Sequence, residues 1–340
     1  MKIGLRTVKT GIAVALALMV SQMLQLESVI FITIAALIGM QPTVSDSWLV
    51  GAKRISGTIA GTIFGLLMAL LIPSHFLLAG LGVVLLIMFM NRLKIPEGIT
   101  ISCVVFISIY MNTQNDIDIA SFALSRLVDT FMGISIALMV NYFILPPKYD
   151  RRAMIEMRKD MARIMTCQNR MLGVLLGKED LAASEMDRQI EEILDELNES
   201  KKLAEMQEKE EKLNVYGQIL CEEINLVLRI TTDMYQHLKN LYGLLESGLK
   251  IHNLQPVEPE LMALYDKLKQ EEASVQTDSK RDPVRMKALM EDIAQLKRRL
   301  KTQEVSNQLG AEEIVKLMVL VYNIGEIISK MDMISSKHYS

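Results

Sequence analysis

The chain has 340 residues, half of them hydrophobic, and a formal net charge of −3 at pH 7. Residues 1–147 contain 8 Lys and Arg and 6 Asp and Glu, whereas residues 148–340 contain 29 and 34. This division argues against a single soluble globule and predicts a transmembrane domain, 1–147, followed by a soluble domain, 148–340. The second half is net acidic and its cations are not interleaved with aromatic residues, which argues against a nucleic-acid partner.

The residue types that usually carry chemistry are scattered. Cys103, Cys167 and Cys221 have neither metal-ligand nor disulfide-framework spacing, so we expect a reduced compartment, no metal and no cofactor. The sequence has no Gly-x-x-x-x-Gly-Lys-[Ser/Thr] loop for nucleotide binding, and no nucleophile-and-base arrangement stands out. We therefore predict a protein that is not an enzyme.

Six apolar segments occupy the first half. The first follows Lys2, Arg6 and Lys9, and its small-residue pattern lies inside the apolar stretch, so we predict an uncleaved helix and not a signal peptide. A crossing needs about 20 apolar residues, so whether segments 28–41, 76–91 and 97–112 cross fully is open. We predict six transmembrane helices, with four full crossings and two shorter elements as the alternative. The segments are 7–25, 28–41, 53–72, 76–91, 97–112 and 122–145, and breaks such as 41–48 separate them.

Charges in the connections predict the orientation. With six crossings and a cytoplasmic N-terminus, the outer connections contain no Lys or Arg outside a helix, as the positive-inside rule requires. Both termini are then cytoplasmic. The inner cations are Lys2, Arg6, Lys9, Lys53, Arg54, Arg92, Lys94, Lys148, Arg151 and Arg152, and the outer polar residues are Glu27, His75, Asp116 and Asp118.

Two stretches of the first half resemble each other. "RISGTIAGTIFG" from Arg54 and "RLVDTFMGISIA" from Arg126 share the pattern Arg-x-x-[Gly/Asp]-Thr-x-x-Gly. The third helix would run outward and the sixth inward, so the match predicts an inverted three-plus-three repeat, an arrangement known from secondary transporters. The small residues predict close helix packing in lipid; they are Gly57, Gly61, Gly65 and Gly133.

Polar residues inside the membrane half are the candidates for function, because such residues are costly in lipid. Arg54 is compatible with a carboxylate ligand or with an anchor at the cytoplasmic end. Arg126, predicted near the outer end, forms with Asp129 either a helix-surface ion pair, because the two residues are three apart, or a gate or proton-coupled pair. Thr58 and Thr130 complete the candidates for a substrate or proton path. Lys9, Asn141 and Tyr142 are weaker candidates, which packing or interface roles explain better.

The second half shows the three-four apolar spacing of a helical bundle and no strand pattern. The predicted helices cover 149–176, 180–212, 214–250, 258–273, 283–306 and 310–334.

"RTVKTGIAVALAL", "IGMQPTVSDSW" and "KRISGTIAGTIFG" resemble the aromatic acid exporter family, part of the fusaric-acid-resistance-like group of bacterial membrane proteins. The resemblance covers about residues 1–147, and the rest resembles the C-terminal helical domain that accompanies the family in Gram-positive bacteria. It implies export of aromatic or other organic acids across the plasma membrane, driven by the proton gradient. Larger members carry two membrane units where this chain has one, which implies a homo-oligomer.

Two hypotheses of different classes follow. The first is a secondary transporter in which Arg54 and Arg126 meet the carboxylate of a small organic anion. The alternative is a non-transporting protein whose membrane helices anchor a cytoplasmic scaffold or an envelope-signal sensor. Deleting residues 150–340 distinguishes them, because transport would survive only under the first hypothesis.

Overall fold

A computed structural model of the chain describes residues 4–26, 28–71, 75–112, 118–144, 148–211, 221–248, 255–276 and 283–337. Within these ranges every regular element is helical, which confirms the prediction of an all-α chain. Glu27 and Asp116, predicted for the outer connections, lie outside the described residues, as do Lys2 and residues 214–220.

Contacts between Cα atoms group the chain into two compact units. The first comprises Met1–Pro147 together with Lys209–Tyr216, and the second comprises Lys148–Glu208 and Gly217–Ser340. The transmembrane and cytoplasmic identities of the domains 1–147 and 148–340 stay predictions.

Among the described residues of Met1–Pro147 there are six α-helices, one for each apolar segment. A short 3-10 turn, Pro96–Gly98, leads into the fifth. The helices are α1 (Leu5–Met23), α2 (Val29–Gly39), α3 (Val44–Leu71), α4 (Phe76–Arg92), α5 (Ile99–Met111) and α6 (Ile119–Phe143).

Helix lengths divide this unit into long and short elements. In the described part of the chain, α3 and α6 are long and apolar enough to cross a membrane. Only 33% of the apolar 18-residue stretch of α3 is buried, and 44% of that of α6. With a rise of 1.5 Å per residue, α3 is about 42 Å long and α2 about 16 Å. Large apolar side chains such as Leu70, Phe76 and Phe131 are exposed, as expected of a lipid-facing surface.

The contacts between helices follow the predicted repeat. Helix α3 packs on α5 and α6 packs on α2, while α3 and α6 pack on each other. The pair α1–α2 corresponds to α4–α5, and α1–α6 corresponds to α4–α3. Exchanging α1 with α4, α2 with α5 and α3 with α6 therefore reproduces the pattern of contacts, as an inverted repeat requires.

Helix α3 begins earlier than predicted. We expected the break 41–48 to be a loop and the helix to start at residue 53, but α3 starts at Val44. The Thr43 hydroxyl accepts a hydrogen bond from the Asp46 backbone N–H at 2.8 Å, which caps the first turn. The polar residues that suggested a loop are in part a helix start.

The second unit is a helical bundle around one apolar core, to which each of its described helices contributes residues. The predicted helix 283–306 is wrong in one respect, because Lys301 and Thr302 close turns on Arg298 and Arg299 and divide it. The helices are α7 (Tyr149–Leu175), α8 (Ala183–Glu211), α9 (Cys221–Glu246), α10 (Glu258–Gln276), α11 (Pro283–Arg299), α12 (Gln303–Gln308) and α13 (Ala311–Lys337).

Candidate functional site

A glycine stripe brings α3 against α5. A Cβ atom added at Gly57 would lie 2.6 Å from the Gly98 carbonyl oxygen, and one at Gly61 would overlap the Ser102 carbonyl oxygen. At Gly65 the added atom would lie 3.0 Å from Cβ of Ile109. Contact positions therefore advance along both helices together, so α3 and α5 run parallel with their backbones touching, which only glycine permits.

The second copy of the motif makes the equivalent contact with α2. A Cβ at Gly133 would overlap the Ile32 carbonyl oxygen and the side chain of Ala35. Gly133 thus occupies on α6 the place that Gly61 occupies on α3. The equivalence predicted from "RISGTIAG" and "RLVDTFMG" holds at the level of packing.

The two long helices meet at their threonines. Thr58 Oγ1 lies 3.4 Å from Thr130 Oγ1, and both residues are buried. A Cβ on Gly51 would strike Ile134, so earlier residues of α3 face later residues of α6 and the helices are antiparallel. Arg54 and Arg126 each precede their threonine by one turn, so they lie on opposite sides of the Thr58–Thr130 contact.

Arg126 is buried and enclosed by partners. Its side chain is 1% exposed, and Nη2 lies 3.4 Å from Oδ2 of Asp129. The guanidinium carbon lies 4.1 Å from the ring centre of Phe31 and 4.5 Å from that of Phe122. The ion pair between residues one turn apart on α6, which we considered, is present, and both of its charged groups are inside the protein. Both aromatic rings lie within cation–π distance of the guanidinium.

Arg54 is buried without such an enclosure. The residue is 6% exposed, and within the described part of the chain its Nε and Nη1 atoms have no hydrogen-bond partner. It does not reach solvent as an anchor at a membrane surface would. One turn beyond Thr58, the buried Thr62 hydroxyl also lacks a partner among the described residues. Arg54, Thr58 and Thr62 form a polar stripe on α3.

Sequence reasoning missed three contributors to this region. Thr62 continues the four-residue spacing of Arg54 and Thr58, so the spacing itself was a usable signal. Phe31 and Phe122 gave no signal, because aromatic residues in apolar helices usually face lipid or core.

Lys9 and Asn141 form a buried polar network near the start of α1 and the end of α6. Lys9 Nζ donates to Asn141 Oδ1 at 3.0 Å, and Asn141 Nδ2 donates to Ser47 Oγ at 2.9 Å and to the Thr43 carbonyl at 3.0 Å. The Gln41 backbone N–H donates to Ser47 Oγ as well. These bonds tie α1 and α6 to the start of α3, which is the packing role that we considered for both residues. Tyr142, the third weaker candidate, is exposed.

In the second unit Asp160 is one of the buried acidic residues, with Asp150 and Glu271. Asp160 of α7 accepts a hydrogen bond from the Ser200 hydroxyl of α8 at 2.6 Å. Burial raises the pKa of Asp160 to about 6, although the Ser200 hydrogen bond acts in the opposite direction. No group of three or more His, Cys, Asp or Glu is placed to hold a metal ion in the part of the chain that the structure describes.

Residues 1–144 match the model of a family described as aromatic acid exporter family member 1. The family resemblance predicted from the motifs is confirmed for these residues. The resemblance of residues 148–340 to an accompanying C-terminal domain stays a prediction.

Several bacterial UPF0421 proteins are similar to part of the chain. The UPF0421 protein YgaE of Bacillus subtilis is 32% identical over 165 residues, which are 48% of this chain and 46% of that protein. A UPF0421 protein of Bacillus cereus is 30% identical over 147 residues, 43% of this chain and 41% of that protein. One of Staphylococcus epidermidis is 28% identical over 148 residues, 43% of this chain and 44% of that protein. The chain thus spans less than half the length of each of these relatives.

Proposed function

We propose that the first unit is a secondary transporter that exports aromatic or other organic acids across a bacterial plasma membrane, with both termini in the cytoplasm. The observation that carries this proposal is the pair of arginines buried beside the Thr58–Thr130 contact. A buried guanidinium is costly unless it is paired, and it suits the planar geometry of a carboxylate. The family match of residues 1–144 supports the same substrate class.

The helix arrangement suggests how the site would open to either side. Alternating access requires two bodies of helices that move against each other around a central site. The glycine contacts α3–α5 and α6–α2 hold each long helix to a short helix of the other repeat half. We propose that each such pair moves as a body and that the Thr58–Thr130 contact changes during transport.

Asp129 is the proposed proton carrier. Its carboxylate is paired with Arg126 inside the protein, so proton uptake on Asp129 would abolish that ion pair. A proton entering from the acidic outer side would thus loosen the contact between α6 and its neighbours as the organic anion leaves. The protein would then exchange one external proton for each outgoing anion.

We expect the Arg54→Ala and Asp129→Asn variants to lose pH-gradient-dependent efflux. The measurement uses proteoliposomes loaded with radiolabelled 4-hydroxybenzoate at pH 7.5 and diluted into buffer at pH 6.5. Loss of the guanidinium removes the anion partner, and loss of the carboxyl removes the proton carrier, so gradient-driven flux should fall at least tenfold.

The matched control is Lys53→Ala. Lys53 is adjacent to Arg54 in sequence, but its ammonium is partly exposed and pairs with Glu97 at 2.7 Å. Flux should persist in this variant, and all variants should elute as folded protein in size-exclusion chromatography. Wild-type flux retained in both Arg54→Ala and Asp129→Asn would remove the mechanism.

A further inference from the structure

The two arginines of the repeat have opposite surroundings. Arg126 has Asp129 one turn away on its own helix, the rings of Phe31 and Phe122 at 4.1 and 4.5 Å from its guanidinium carbon, and Ser125 Oγ at 3.3 Å from Nη2. Its charge is therefore paired with a carboxylate, and two aromatic rings contact the guanidinium. An anion arriving here would have to displace a carboxylate that is already in place.

At the equivalent turn of α3 the acid is missing. The motif aligns Gly57 with Asp129, and the face of Gly57 is filled by the backbone of Gly98. Arg54 therefore has no acid on its own helix at this spacing, and its Nε and Nη1 have no hydrogen-bond partner in the described ranges. Burying a cation and its donors in this way is unfavourable unless a ligand supplies the missing charge and acceptors.

Nearby groups suit a carboxylate. The Thr62 hydroxyl, two turns from Arg54 on the same stripe of α3, has no partner among the described residues, whereas the Thr58 hydroxyl donates to the Arg54 backbone carbonyl at 2.9 Å. Helix α5 also begins at this level, since Gly98 packs on Gly57, and a helix N-terminus adds positive potential. Glu97, which precedes that terminus, is more than half exposed and pairs with Lys53, so it leaves the guanidinium available.

We infer that Arg54 alone binds the anionic group of the substrate, that the Arg126–Asp129 pair does not, and that the site therefore takes a monocarboxylate. This inference rests on the proposed function for the identity of the ligand as an organic acid. Among the described residues of this unit, Lys9 is also a buried cation, but its ammonium already donates to the carbonyl and Oδ1 of Asn141, which in turn donates to Ser47 two turns before Arg54 on α3. One uncompensated guanidinium at the helix crossing matches one carboxylate. A second carboxylate on the same ligand would be buried there without a partner.

Equilibrium binding to the full chain in detergent tests the assignment. The probes are benzoate and phthalate, which share a ring and differ by one carboxylate, and the readout is the ligand-induced shift in melting temperature. For the wild type we expect benzoate to bind at least tenfold more tightly than phthalate. Arg54→Gln should abolish the benzoate shift, and the charge-neutral double variant Arg126→Gln/Asp129→Asn should retain it. Lys53→Gln, the matched loss of an adjacent cation, should also retain the shift.

The ligand-free proteins provide a second readout. Arg54→Gln should melt at the wild-type temperature or above it, because an uncompensated buried charge is removed. A purely structural Arg54 would give a lower melting temperature. Arg54→Lys keeps the charge but not the planar fork, so we expect it to fold and to bind benzoate at least tenfold more weakly.

Several outcomes overturn the inference: no benzoate binding to the wild type, a benzoate shift that survives Arg54→Gln, a shift lost in Arg126→Gln/Asp129→Asn, or tighter binding of phthalate. Benzoate binding that follows the expected pattern, without any gradient-driven flux, would contradict the proposed transport function and still support the assignment of Arg54 as the binding residue. Gradient-driven flux and a benzoate shift that both persist in Arg54→Gln would overturn the binding assignment and leave the transport function in place.

Discussion

Gly61 sets the distance between α3 and α5, because the space for a side chain is taken by the Ser102 carbonyl oxygen. We expect Gly61→Ala to separate the two helices and to lower stability by about 1–3 kcal/mol, the usual cost of overpacking. Thermal unfolding in detergent, followed by size-exclusion chromatography of heated samples, measures this change.

Gly80 on α4 is the matched control. A Cβ at Gly80 would meet no atom within 4 Å among the described residues, so Gly80→Ala adds a methyl group to open space. Alanine is also the better helix former, by about 1 kcal/mol in water. The control should be neutral or stabilising, and equal melting temperatures for the two variants would contradict the role of Gly61 as a contact point.

At the scale of single residues, the sequence predicted which residues would be packed better than it predicted which residues they would contact. The four-residue spacing of Gly57, Gly61 and Gly65 was visible, but the helix on which they pack was not. Arg126 could be paired with Asp129 by spacing, yet its burial depends on Phe31, which lies in a distant segment. Such contacts are set by tertiary packing, which no local pattern records.

Asp160 and Ser200 connect two elements of the second unit, α7 and α8. The folded pKa of Asp160 is raised to about 6 from its ordinary value of 3.8, chiefly by burial. The folded state thus holds its proton more tightly than the unfolded state does, so stability falls as the pH rises from about 4 to about 6. Above that range the cost of the buried carboxylate remains in full.

We expect Asp160→Asn to raise the melting temperature, and to raise it more at pH 8 than at pH 5. Asparagine keeps the shape and can accept the Ser200 hydrogen bond without a charge. A gain of about 2–4 °C at pH 8 corresponds to about 1 kcal/mol for a unit of this size, after allowance for solvent screening. Asp195→Asn, on the exposed face of α8, should give no comparable gain. A gain equal at both pH values would show that titration of Asp160 is not its source.

Helix boundaries show what sequence patterns capture at the scale of elements. Apolar spacing located α7 and α13 to within a few residues, because each has a long amphipathic face. The start of α3 was misplaced by nine residues, since polarity was weighed above the Thr43-x-x-Asp46 capping pattern. Caps are a stronger signal than composition where a helix begins in a polar segment.

For the whole molecule, the repeat explains why six helices of unequal length form one unit. Helices α2 and α5 are too short to stabilise themselves, and each packs through glycine or alanine contacts on a long helix of the other repeat half. The two halves therefore interlock, and neither would be complete without the other. One difference between the two motifs is that Asp129 stands at the position of Gly57, so Arg126 has an acid one turn away on its own helix and Arg54 has none.

The interlocked repeat requires α4 to run opposite to α3, which predicts that the two ends of α4 lie on opposite sides of the membrane. Phe76 and Leu93, at its two ends, are 71% and 50% exposed. We expect a single cysteine at Phe76 to react with a membrane-impermeant maleimide on intact cells, and one at Leu93 to react only after permeabilisation. The background replaces the three native cysteines with serine, and a cysteine at Lys148 should behave as the one at Leu93 does. Labelling of Phe76→Cys and Leu93→Cys from the same side would contradict a crossing by α4, and with it the inverted orientation of the two halves.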